Sequence, residues 1–201
     1  MSDFDVVTFA QKIKSFSDEE LIAFVTINAG DYVSEAIDIA MREVNDRGLS
    51  KDLQNVHFDV FLNHSGFAGR LILLDEQILY LSTGMKGSPG GGHGLVGAIA
   101  GEAYYAERYV AAKKMNFSAL DNDGSWIFYL DEIIKCETNT SMLSGKELIL
   151  EAREEDGSNT RRVIKCNDLS KEEFFDMATK ITDAKSNFEN NQDGSQNPDI
   201  E

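Results

Sequence analysis

From Gly69 onward the chain repeats one pattern: short runs of strand-forming residues, most followed by a turn signal, and at the end a capped amphipathic helix. The strand candidates are Arg70–Leu74, Gln77–Ser82, Asn116–Leu120, Trp126–Leu130, Ile133–Thr140, Glu147–Arg153 and Arg161–Cys166. Turn signals stand at Asp75-Glu76, Asp123-Gly124, Ser144-Gly145 and Asp156-Gly157. Ser170-Lys171-Glu172-Glu173 then has the spacing of a capping box. It predicts a helix to about Ser186 whose inner face is Phe174, Phe175, Met177, Ala178 and Ile181. Strand following strand excludes a parallel sheet with crossover helices and predicts an α+β fold.

Upstream, the pattern is helical. Ser17-Asp18-Glu19-Glu20 forms another capping signature, with Leu21, Ile22, Phe24, Val25 and Ile27 after it at helical spacing. A second helix is expected from about Tyr32 to Arg47, with Val33, Ala36, Ile37, Ala40, Met41 and Val44 on one face and Gly48 as its C-cap. Such a hairpin, residues 1–50, is too small to hold a large core alone, so it is expected to rest on the remaining chain or on a partner. Between them, Val56, Phe58, Val60 and Leu62 alternate with their neighbours, and period two favours a strand ending at the turn His64-Ser65-Gly66.

Seven strands followed by one helix resemble the pleckstrin-homology-like group, including its GRAM-type and bacterial members. The resemblance spans roughly residues 66–186. It is carried by Gly69–Leu74 with Ile78–Ser82, by Trp126–Ile134, by Lys146–Leu150 and by the helix at Glu172-Glu173-Phe174-Phe175. It implies a seven-stranded antiparallel barrel capped by a C-terminal helix, here residues 51–186. The fold hosts lipid, peptide and protein binders, so it leaves the ligand open. The hairpin residues Tyr32, Glu35, Ala36, Ala40, Glu43 and Arg47-Gly48-Leu49 also resemble a unit found in many bacterial proteins.

Charge narrows the function classes. Residues 1–50 hold 10 acidic and 4 basic side chains, residues 51–115 hold 6 of each, and residues 116–201 hold 19 and 9, within a net charge of -16. Such a field repels phosphate backbones and anionic membranes, so no nucleic-acid partner is expected. The acidic N-terminus has no long apolar run, and no signal peptide is expected. Cys136 and Cys166 read as small buried thiols in a reducing cytoplasm. His57, His64 and His93 are scattered without zinc-ligand spacing, and neither metal nor cofactor is expected. The acidic pairs fall in turns or at strand ends, and no nucleophile elbow is present, so no catalytic residue is assigned. Arg161, Arg162 and Lys165 are read as pairing across strands with Glu151 to Glu155.

The departure from a minimal fold of this group is residues 83–115, an insert ahead of the Asn116–Leu120 candidate. It opens with glycine-rich Gly84–Gly94 and continues as a helix through Lys114. Gly92-His93-Gly94-Leu95-Val96-Gly97 matches the spacing of a dinucleotide fingerprint. The preceding strand ends about ten residues too early, however, and Asp121 stands 24 residues past Gly97. Gly97 and Gly101, four apart in an apolar run, would let two helices approach closely. The run Gly94–Gly101 also resembles the start of viral fusion peptides. The interaction surface is therefore expected at Gly94, Leu95, Val96, Gly97, Ile99, Gly101, Tyr104, Tyr105 and Tyr109. The tail from Asn187 to Glu201 is polar and is expected to be disordered.

Together these features favour a cytoplasmic, non-catalytic binding or scaffolding module acting through protein contacts. Two alternatives stay open. One is a peripheral membrane module presenting the glycine-rich helix 84–112, the other a small-ligand or nucleotide site at the glycine-rich loop. A contact between two copies through the 94–112 helix is compatible with the first reading.

Overall fold

The computed structural model describes residues 5–65, 67–86, 110–112, 115–142 and 145–194. Three helices lead the chain: α1 (Val6–Ile13), α2 (Asp18–Val25) and α3 (Ser34–Arg47). The Asp5 carboxylate accepts from the Val7 and Thr8 amides at 3.1 Å and starts α1, so the expected hairpin is a three-helix unit. At α2 the capping box is complete: Ser17 Oγ accepts from the Glu20 amide, and Glu20 Oε2 accepts from the Ser17 amide. The α3 helix starts at Ser34, two residues after the expected Tyr32, and ends on Gly48 at φ 75°, a left-handed conformation that favours glycine.

The residues that resemble a widespread bacterial unit have structural work in this bundle. Ala36, Ala40 and Val44 are buried against Ile13, Leu21 and Phe24. Tyr32 stacks on Phe24 with ring centroids 4.2 Å apart. Arg47 donates to the Phe16 and Lys14 carbonyls at 2.8 and 3.1 Å and to Asp18 and Glu43 at 2.9 and 2.8 Å. Those carbonyls follow the end of α1, where a helix leaves its last acceptors unmet.

The strands are β1 (Phe58–His64), β2 (Phe67–Leu73), β3 (Gln77–Lys86), β4 (Trp126–Tyr129), β5 (Ile133–Ser141), β6 (Gly145–Arg153) and β7 (Asn159–Lys165). The first four form an antiparallel sheet in the order β1-β2-β3-β4, the last three a second sheet in the order β5-β6-β7. A final helix, α4 (Lys171–Gly194), lies over the gap. The α+β class therefore holds, but the seven strands split between two sheets and do not close into one barrel. From α4, Phe174, Met177, Ala178, Ile181 and Ala184 enter the core between the sheets. An apolar helix face fills the place where strand pairing would have sealed a barrel.

The four-stranded sheet is covered on both sides. Leu71, Leu73, Ile78 and Tyr80 face the second sheet and α4, while Ile72, Leu74, Leu79 and Leu81 face Ala23 and Ile27 of the helical unit and Ala112, Met115 and Ala119. All seven residues of β2 are buried. Two-sided burial is why Leu71-Ile72-Leu73-Leu74 is a continuous apolar run. Gly69 sits where a Cβ would stand 2.7 Å from the Tyr80 ring, so β2 needs glycine there to pass the tyrosine.

Several expectations change. Asn116–Leu120 is not a strand: Asn116 Oδ1 accepts from the Ser118 amide at 3.1 Å and caps a 3-10 helix over Phe117–Asp121. The seventh strand is instead β1, where period two favoured a strand. The insert opens later than residue 83, because β3 continues to Lys86, paired with Phe67 beyond a register shift. The expected disorder from Asn187 does not hold for residues 187–194, which continue α4. Phe188 packs on the main core there, and Lys185 pairs with Glu189, both at helical spacing. Phe175, expected on the inner face of α4, is 40% exposed, since the buried stripe runs through Phe174 and Ile181.

Candidate functional site

The nine residues expected to form the interaction surface, Gly94, Leu95, Val96, Gly97, Ile99, Gly101, Tyr104, Tyr105 and Tyr109, lie outside the described residues. So does the Gly92–Gly97 fingerprint. Of the expected insert helix, residues 110–112 are described and helical, and Ala112 is buried against the outer face of the four-stranded sheet.

One cleft, of ≈ 390 Å³, lies between the helical unit and that sheet and is lined by Thr26, Ile27, Asp31, Asp59, Phe61 and Arg70, among others. Arg70 is its cation, but every guanidinium nitrogen is engaged. Nε and Nη2 donate to the two oxygens of Asp59, Nη1 donates to Asn28 Oδ1 at 2.9 Å, and Nη2 also donates to the Ile27 carbonyl at 2.6 Å. The side chain of Arg70 is 5% exposed. It clamps the end of α2 to β2 through a two-pronged pair with β1. With the guanidinium occupied and carboxylates on the lining, this cleft is a joint in the structure and a poor seat for an anion.

A second concavity, of ≈ 280 Å³, runs between β5 and α4 and is lined by Cys136, Thr138, Phe175, Ala178, Thr179, Thr182 and Asp183. One edge of β5 pairs with β6 from Ile133 to Ser141, and β5 ends the sheet, so its other edge has no partner strand among the described residues. From Glu137 to Ser141 the side chains are exposed on both faces. Phe175, on the groove lining, is 40% exposed, and Ile134 of β5 is 42% exposed. Lys171 Nζ lies 6.0 Å from the Phe175 ring centroid, holding a cation over its face. Burial raises the Cys136 pKa, against the pull of a Thr182 hydrogen bond, so the groove presents a neutral thiol. Acceptors and donors of an open strand edge, hydroxyls and a few apolar side chains suit main-chain recognition.

None of the groove residues was selected from the sequence. The signal there was Glu137-Thr138-Asn139-Thr140, a strand segment polar on both faces, which cannot be a sheet interior. Among Arg161, Arg162 and Lys165, read together as a charged face, alternation separates the members. Arg161 and Lys165 stand opposite Glu151 and Glu147, while Arg162 stands opposite the buried Leu150 and points the other way. Among the described residues no group of three or more His, Cys, Asp or Glu side chains is placed to hold a metal ion. No described helix is long and apolar enough to cross a membrane.

Comparison with known proteins yields no relative: no family model, no curated protein and no solved structure matches the chain.

Proposed function

We propose that this chain is a non-catalytic binding module with a pleckstrin-homology-like fold, and that it takes an extended segment of a partner protein along the free edge of β5. What supports the fold reading is the four-plus-three arrangement of antiparallel strands with a C-terminal helix packed between the sheets. The observation that carries the functional reading is β5 itself, where residues 133–140 meet no strand on the side away from β6 among the described residues and border a groove. An unprotected edge of this length is a template for another strand, and a folded protein keeps one where pairing has a use. Main-chain bonds to β5 would supply affinity, and the groove would select side chains from the segment. We place the module in a reducing cytoplasm, consistent with the free thiols at Cys136 and Cys166. The membrane, nucleotide and helix-pairing alternatives depend on residues 87–109 and gain no observation from the described residues.

Selection of a random peptide library against the full chain tests the proposal. Enriched peptides are expected to perturb amide resonances of β5 and α4, and to lose binding to Thr138→Arg and Thr182→Arg. Peptides that bind those variants as well as wild type would refute the groove as the site.

A further inference from the structure

A different place in the molecule has buried hydrogen-bonding atoms without partners. At the end of β1, His64 is 5% exposed and lies edge-on to two stacked rings, Tyr80 at 5.4 Å and Trp126 at 6.0 Å. The Tyr80 hydroxyl is occupied, donating to the Phe67 carbonyl at 2.7 Å. Arg162 enters from β7 on the inner face, the face of Ile164. His64 Nδ1, Trp126 Nε1 and Arg162 Nε are all buried with no hydrogen-bond partner among the described residues.

The chemistry of two of these atoms is one-sided. The indole and guanidinium nitrogens are donors only. The other ring nitrogen of His64 lies 3.3 Å from Ser65 Oγ, and which ring nitrogen carries the proton follows the tautomer. Burial foremost, and then the charge of Arg162, lower the His64 pKa to about 4 against the pull of the Val163 backbone. At neutral pH the imidazole is therefore uncharged, and the guanidinium supplies the positive charge. Buried donors are rarely left unmet in a folded protein, and what is missing here is an acceptor.

We propose that this seam between β1, β4 and β7 binds a small monocarboxylate, with the Arg162 and Trp126 N–H groups donating to its oxygens beside the uncharged His64 ring. One fixed positive charge with a neighbouring neutral donor matches one negative charge spread over two oxygens. The site lies apart from the β5 groove and does not depend on the function proposed for it.

Trp126 is the only tryptophan in the chain, so its fluorescence and its single indole N–H resonance report on this seam alone. The full chain is titrated with sodium acetate, and with sodium chloride at matched ionic strength. The expected result is a saturable change in both signals with acetate and none with chloride. In Arg162→Gln the affinity should fall by roughly tenfold or more, the loss of a charge-assisted donor. No saturable change with acetate, an equal response to chloride, or an unaltered affinity in a folded Arg162→Gln would each overturn the proposal and leave the donors to water. Should that variant not fold, the wild-type indole resonance still decides, since saturation by acetate and not by chloride requires an acceptor site at Trp126.

Discussion

The two sheets are built from similar numbers of strand residues and are finished differently. The four-stranded sheet is sandwiched, with α2 and the segment around Ala112–Ala119 on one face and the second sheet with α4 on the other. In the three-stranded sheet Leu148, Leu150 and Ile164 enter the core, while β5 is exposed along most of its length. Burial on both faces leaves a strand no freedom to meet a partner, whereas a strand open at its edge has backbone groups to spare. On the proposed function, the first sheet holds the fold and the β5 edge of the second meets a partner segment.

The largest effect expected from this contrast is on stability. Leu71→Ala in β2 should cost about 2–5 kcal/mol in denaturant unfolding, since Leu71 is fully buried. Thr138→Ala in β5 should stay within about 0.5 kcal/mol. Equal costs would erase the distinction between the sheets. Next comes the joint with the helical unit. Arg70→Met leaves Asp59 and the Ile27 carbonyl without their donor and should cost about 3 kcal/mol, the low end for breaking a buried pair because Asp59 is partly exposed.

The seam at His64 gives a pH signature. Its pKa falls from 6.5 to about 4 on folding, so the unfolded chain takes up the proton first. The stability tied to the neutral ring is complete above pH 6.5 and is lost as pH falls to about 4. Wild type should lose up to about 3 kcal/mol more than His64→Gln across that window, read from denaturant unfolding at each pH. A parallel pH dependence of the two proteins would contradict a buried neutral histidine. A smaller loss belongs to α4: Ser170→Ala removes the cap that accepts from the Glu173 amide and should cost about 1 kcal/mol.

Local signals were legible in the sequence wherever a few neighbouring residues decide the outcome. The Ser17 and Ser170 capping boxes and the left-handed Gly48 form because each rests on contacts within a few residues, and six of the seven strand candidates form because their apolar patterning and turn signals are local even where their partners are not. What was not legible depends on distant partners. Asn116–Leu120 is the local exception, a capped turn of 3-10 helix formed because the Asn116 side chain competes for the nearby amides. The helical tail past Ser186 forms through Phe188 and the core it reaches. Arg70, which the sequence places only at the start of a strand, is a clamp whose partners lie 11 to 43 residues away. The interaction surface expected at residues 94–109 lies outside the described residues. Glycine-rich composition drew the reading to the insert, while the groove at β5 is defined by the absence of a neighbouring strand, which no single segment encodes.

Residue-resolved amide hydrogen exchange on the full chain tests the division most directly. Amides of β2 and β3 are expected to exchange only through global unfolding, while those of β5 that point away from β6 exchange orders of magnitude faster at native conditions. Protection of the outward β5 amides equal to that of β2 would mean that the edge is already covered, and would contradict the account.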